Sequence, residues 1–435
     1  MTGGTLAARP GLPTRLAARL PALLHDRPFR RYWGAQTISQ FGDQISGIAL
    51  PLAAVLVLHS GPAEMGYLAA LQWLPSLLFA VHAGAWVDRR GHRRATMIAA
   101  DLGRALLLAS VPVSYALGVL TLWQLFAVAF AAGTLSVLFQ VSDSTLFVSL
   151  VDAGRYVDGN ALVYGSRAAS FMAGPSLGGL LVQALSAPFA LLANALSFLG
   201  SAFFLGRIRP AEPPTDGGSK GALAAGARFI ARSGIVRASL VSAATLNLFN
   251  FMFFALFLLY ATRSLHVRPG LLGLVLGVGA VGGVIGSMVT GRLAARIGVG
   301  WAYVAGTILF PVPVVLVPLA GGPMPLILAM LFAAEFCSGF GVMVLDISIG
   351  AIFAAVIPDQ LRSRVTGAFQ AVNYGTRPLG ALAGGAMGAL IGLRPALWVA
   401  TVGGSLAFLW LLPSPLPRFR MPTEPRQSVT GQMAP

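Results

Sequence analysis

Gly84-Ala-Trp-Val-Asp88-Arg89-Arg90-Gly91-His-Arg93-Arg94 stands between two long apolar runs, and a degenerate copy lies 207 positions further on. The copy, Gly291-Arg292-Leu-Ala-Ala295-Arg296-Ile-Gly298, also separates two apolar runs. Gly174-Pro175-Ser-Leu-Gly178-Gly179 returns 206 positions on as Gly380-Ala-Leu-Ala-Gly384-Gly385. Pro188 matches Pro395, and Asp43 matches Asn250, each 207 positions apart. Several motifs sharing one offset indicate a duplicated unit, and duplicated membrane units enclose their site where the repeats meet.

Composition says which solvent these runs are built for. Hydrophobic residues make up 56% of the 435-residue chain and charged residues 10%, with a mean hydropathy of +0.77. Soluble domains carry roughly 25% charged residues. The chain is long enough for about a dozen spans of roughly 20 residues each. The expected fold is an all-α membrane protein of twelve transmembrane helices in two six-helix halves. The spans read as 33–58, 65–87, 95–117, 122–146, 160–185 and 188–206, then 236–260, 271–291, 300–320, 324–349, 365–391 and 395–412. The flanking pieces are a cytoplasmic N-terminal segment 1–32, a linker 207–235 opening on Pro210, Pro213 and Pro214, and a tail 413–435.

The net charge of +16 could mark a nucleic-acid surface, but its placement says otherwise. With the N-terminus in the cytoplasm, 24 of the 30 Lys and Arg fall on cytoplasmic segments, as the positive-inside rule requires. Both termini are therefore expected in the cytoplasm, in an inner (plasma) membrane, and no nucleic-acid partner is implied. No cleavable leader is expected, because six arginines interrupt residues 1–31. The lone Cys337 cannot form an intramolecular disulfide. The five histidines lack metal-ligand spacing, and no phosphate-binding loop is present. No metal, cofactor or enzymatic activity is expected.

At this point the chain resembles a known family. Gly84-x3-Asp88-Arg89-x-Gly91-x-Arg93-Arg94 is similar to the loop signature between spans 2 and 3 of the major facilitator superfamily. Gly174-Pro175-x2-Gly178-Gly179 resembles the closing part of its span 5 antiporter signature, whose upstream glycine positions here hold Ala161 and Ser170. Phe29-Arg30-Arg31-Tyr-Trp, Phe41-Gly42-Asp43 and Val356-Ile-Pro358-Asp359-Gln-Leu-Arg362 resemble the branch of enterobactin and macrolide exporters. The resemblance implies alternating access, with Asp88 latching the cytoplasmic side against the start of span 11. Gly84, Gly91 and Asp88 are its gating residues, while Arg89, Arg93 and Arg94 also serve orientation.

An ionisable side chain within a span costs roughly 2.5–3.5 kcal/mol on insertion scales, so each is a functional candidate. Asp43 lies on a helical stripe with Gln36, Gln40, Gly47 and Pro51; it serves either proton or substrate coupling or a bond to a neighbouring helix. Glu335 and Asp346 in span 10 share a face three turns apart. Gln370, Asn373 and Arg377 in span 11 share another, and a Glu335–Arg377 ion pair is expected. Ser136, Gln140 and Asp143 in span 4, with Arg167 in span 5, form the corresponding patch of the first half. Arg167 either pairs with a carboxylate or holds an anionic substrate group. Asp101 and Arg104 read as a structural i, i+3 pair. Asn247 and Asn250 in span 7 need partners, and Trp73, Phe249, Phe253 and Phe254 either line an apolar cavity or, by default, are core or lipid-facing. Proton-coupled export of a small amphipathic molecule, such as a drug, siderophore or natural product, follows as the expected function of a monomer in the bilayer. A lipid flippase, a nutrient importer or a non-transporting receptor are the alternatives.

Overall fold

The computed structural model describes residues 22–209 and 222–421. Six helices form the first group: α1 (Arg27–Leu56), α2 (Pro62–Arg90), α3 (Arg93–Ala116), α4 (Leu122–Leu150), α5 (Tyr156–Leu185) and α6 (Ala187–Gly206). A short helix α7 (Ala222–Arg232) follows. The second group comprises α8 (Gly234–Arg263), α9 (Pro269–Ile297), α10 (Val299–Leu309), α11 (Met324–Val356), α12 (Asp359–Ile391) and α13 (Leu393–Ser405). Short turns prolong α10 to Leu319 and α13 to Trp410. Among the described residues nine of these stretches are long and apolar enough to cross a membrane. α1, α2 and α12 are as long but are not among those nine.

Helix ends follow from local chemistry. α1 begins six residues before the expected span, because Asp26 accepts the Phe29 N–H at 3.3 Å and Pro28 occupies the first turn. α12 likewise starts at Asp359, directly after Pro358. α2 ends on Gly91 at φ 64°, a left-handed cap that strains any residue with a Cβ. The last carbonyls of α6 lack partners four residues on within the helix. Arg94 Nε donates to Leu205 O at 2.8 Å, and Arg31 reaches Arg207 O.

The first group packs α1 on α5 and α6, α3 on α4 and α6, and α2 on α4; the second repeats this plan with α8, α12, α13, α9, α10 and α11. The groups meet along two lines, α2 with α12 and α5 with α9. The start of α1, the end of α6 and the short α7 lie at one end of the bundle, the linker end, where Gly226 of α7 abuts Arg364.

The seam between the groups is closed at the far end. A methyl added at Gly66 would stand 2.7 Å from the Gly385 Cα, and one at Gly179 would stand 2.9 Å from the Gly273 Cα. Gly84, Gly291 and Gly367 lie eighteen residues, five helical turns, from Gly66, Gly273 and Gly385. They therefore occupy the same helix faces about 27 Å nearer the linker end. A methyl on any of them would meet nothing within 4 Å among the described residues. The same faces touch at one end and stand apart at the other, so the seam opens as a cleft toward the linker end.

Candidate functional site

Polar side chains of the long helices gather where those helices meet. In the first group, Tyr32 Oη donates to Asp143 Oδ1 at 2.7 Å, and Gln36 Nε2 donates to the same oxygen. This joins α1 to α4. Asp43 lies three turns beyond Tyr32 on the same face of α1. Its side chain is exposed, stands beside Asn194 of α6 and feels the charge of Arg104. Asn194 also donates to Ser46 at 2.7 Å and accepts from Ser197 at 2.8 Å. Gly42 permits this approach, since a methyl there would overlap Asn194 Oδ1 and Ser197 Oγ.

Arg104 is 3% exposed and forms an ion pair with the fully buried Asp101. It donates to Ser136 at 3.3 Å and lies between the rings of Phe139, at 4.5 Å, and Phe198, at 4.0 Å. In the first group Arg104 thus serves two carboxylates, Asp101 by contact and Asp43 through its charge, while Asp143 is held by hydrogen bonds. A buried charge requires a counter-charge or several hydrogen bonds. Arg104 supplies the first to Asp101; Tyr32 and Gln36 supply the second to Asp143.

The second group is poorer in charge. Asn247 Nδ2 donates to Asn373 Oδ1 at 2.6 Å, tying α8 to α12. The half-buried Glu335 lies against Gly279 of α9, where a methyl would come within 3.3 Å of its Oε2. Asp346 is exposed on the same helix. The expected Glu335–Arg377 pair does not form. Glu335 rides on α11, which packs on α9 and α10, whereas α12 packs on α2 and α8. Arg377 instead stacks on Trp73 at 4.4 Å, Tyr374 at 4.4 Å and Phe251 at 5.0 Å. Trp73 is therefore a seam residue rather than the core or lipid-facing residue of the default reading.

The remaining expected residues divide. Gln40 is half-buried, with Oε1 enclosed and without a hydrogen bond among the described residues. Gln140 and Gln370 are exposed, and Asn250 is half-buried. Arg167 has no carboxylate among the described residues; its guanidinium lies 5.8 Å from the Phe171 ring. Gly174 and Gly178 receive Gln44 and Ile45 of α1, while Pro175 and Gly179 receive Gly273 of α9. That one motif seats two helices. The side chains of Asp88, Arg89 and Arg90 lie outside the described residues. Arg93 is 2% exposed, and Arg94 holds the end of α6. Tyr32, Asn194 and the box around Arg377 escaped the sequence reading. A polar Asn194 inside an apolar span was the available signal.

A family model described as transmembrane secretion effector, of the major facilitator type, matches residues 20–434. The chain belongs to this family. It is thus a multi-pass membrane transporter of the major facilitator superfamily, not an enzyme. It is 26% identical over 384 residues to the uncharacterized MFS-type transporter YfiS of Bacillus subtilis (strain 168), covering 84% of this chain and 88% of that one. It is also 26% identical over 385 residues to the multidrug efflux pump Tap of Mycobacterium tuberculosis (strain ATCC 25618 / H37Rv), covering 83% and 87%. Among solved structures, the nucleoside transporter NupG superposes with a TM-score of 0.71 at 13% identity, over 88% of this chain and 98% of that one. A bacterial homologue of the iron transporter ferroportin, in an inward-facing state, gives 0.70 at 17% identity, over 90% and 99%. At such identities the likeness is one of fold.

Proposed function

We propose that this transporter is a proton-coupled exporter of small amphipathic molecules, such as drugs, siderophores or natural products. It has twelve spans in two six-helix halves, 33–206 and 236–412, and works as a monomer by alternating access. The observation that carries this reading is the seam, packed glycine to glycine at the far end and open at the linker end. The arginine-rich segments at the linker end support a cytoplasmic location for it. The cleft is then inward-open, and export begins with substrate entry from the cytoplasm or inner leaflet.

Coupling rests on carboxylates in excess of fixed positive charge. Asp101 is matched by Arg104, which leaves Asp43 and Asp143 in the first half and Glu335 and Asp346 in the second to exchange protons. One charge crossing about 150 mV releases roughly 3.5 kcal/mol. At 1.4 kcal/mol per tenfold, this sustains a gradient of about 300-fold. Relatives named multidrug efflux pump support the outward direction. Asp88 at the cytoplasmic end of α2 would latch the start of α12 once the cleft closes there, and Gly84 and Gly367 would then meet as Gly66 and Gly385 do now.

The test is a growth-inhibition panel of amphipathic compounds in a pump-deficient bacterial host. Protection by the protein, abolished by a protonophore, is the expected result. Protection against no compound, or protection unaffected by collapse of the gradient, would overturn the reading. Uptake stimulated by an inward proton gradient would identify an importer instead.

A further inference from the structure

Arg377 lies at the apex of the cleft. On α2, Trp73 falls between Gly66, where the seam is shut, and Gly84, where it is open. On α12, Arg377 falls between Gly385 and Gly367 in the same way. Leu77 touches Gly375 one turn below, at 3.3 Å from a methyl placed there. Three rings from three helices meet the guanidinium: Trp73 of α2, Phe251 of α8 and Tyr374 of α12. Trp73 packs edge-on against Phe251, with centroids 5.3 Å apart at 79°. The box therefore bridges the two halves.

Rings stabilise the cation through their faces but accept none of its five N–H donors well. Among the described residues Arg377 has neither a carboxylate nor a hydrogen-bond acceptor, and its Nε is enclosed without a partner. An enclosed donor without an acceptor is a standing cost. Arg167, on the α5 wall, is a second cation without a carboxylate among the described residues. Arg presents a planar fork that matches a carboxylate or phosphate through two parallel hydrogen bonds.

We propose that Arg377 and the rings of Trp73, Phe251 and Tyr374 form the recognition site for an amphipathic anion. A flat apolar body lies against the rings, and its acidic group bonds the guanidinium. This rests on the transporter reading above and names its substrate class. The site also reports the conformational cycle, because opening the far end must draw Trp73 away from Arg377 and Phe251. A bound anion then leaves a box that has come apart.

The test measures binding, without any gradient, to protein in lipid nanodiscs. The probes are 1-pyrenebutyrate, its methyl ester and a pyrenylbutyl trimethylammonium, each read by quenching of tryptophan emission. The carboxylate is expected to bind about tenfold or more tightly than the ester or the ammonium, as a charge-assisted bidentate contact implies. Arg377→Gln should bring the carboxylate-to-ester ratio to about one, while Arg377→Lys retains part of the preference. Because the readout is a ratio on one protein, a variant of lower overall affinity still reports. Equal wild-type affinities, preference for the ammonium probe, a carboxylate preference that survives Arg377→Gln, or no saturable binding by any probe would each overturn the proposal. Failure of proton-driven export would leave this result standing. Export in cells without anion-selective binding would sink the recognition site alone.

Discussion

At Gly178 the first half brings α5 against α1 through Ile45, and at Gly384, 206 positions later, the second brings α12 against α8 through Met252. The cross-seam contacts are duplicated too: Gly179 meets Gly273 and Gly385 meets Gly66. Side chains with chemistry do not follow this symmetry. At an offset of 207, Asp101 and Arg104 correspond to Ile308 and Pro311, Asp143 to Gly350, and Asp43 to Asn250. Duplication preserved backbone approach, where a methyl has no room, and released the polar positions to diverge. The first half became the carboxylate-rich side. The second kept an amide pair, the carboxylates Glu335 and Asp346, and the ringed Arg377.

The largest effect that would sharpen this contrast is expected at the buried ion pair. Arg104→Leu leaves Asp101 uncompensated and should destabilise the first half by about 3–5 kcal/mol, read by thermal unfolding in detergent. Combining it with Asp101→Ile reproduces the apolar pattern of the second half and should recover most of that stability. No recovery would mean that Arg104 is needed for its bonds to Ser136, Phe139 and Phe198 rather than for charge balance.

The shared seam gives the next effect. Gly179→Val and Gly385→Val each force a side chain into backbone at the far end, costing about 1–3 kcal/mol of overpacking in this state. Both should raise labelling of a cysteine placed at the far end, to similar degrees. Strongly unequal effects would mean that the two cross-seam contacts are not equivalent.

The smallest effect belongs to the amide pair. A double-mutant cycle on Asn247→Ala and Asn373→Ala should give a coupling of about 0.5–1.5 kcal/mol, the usual net value of one hydrogen bond. Zero coupling would make the two amides independent lining residues.

Much of this architecture was legible in the chain. The offset of 206–207 paired the glycine motifs of the two halves without saying which helices they meet, and apolar runs located the described helices to within about seven residues at each end. The start of α1 was misplaced because Arg27, Arg30 and Arg31 read as loop, whereas the Asp26 cap and the first-turn proline set the helix start. Arg94 read as a topological charge, yet it also satisfies the carbonyls that end α6. The Glu335–Arg377 pair was inferred from faces of adjacent spans. A sequence gives a residue's angle on its helix, but which neighbour fills that angle depends on helix packing. That is also why Tyr32 and Gln36 were not matched in advance to Asp143, more than a hundred residues away.

We propose Asp43 as the first of the proton-coupling carboxylates, ahead of Asp143, Glu335 and Asp346, and Asp43→Asn tests that assignment most directly. Wild type and variant would be compared at equal membrane expression for protection of a pump-deficient host and for proton-driven efflux from everted vesicles. The expected outcome is a folded variant that has lost both protection and uphill transport. Unchanged proton-driven efflux by Asp43→Asn would contradict the assignment and move coupling to Glu335 and Asp346.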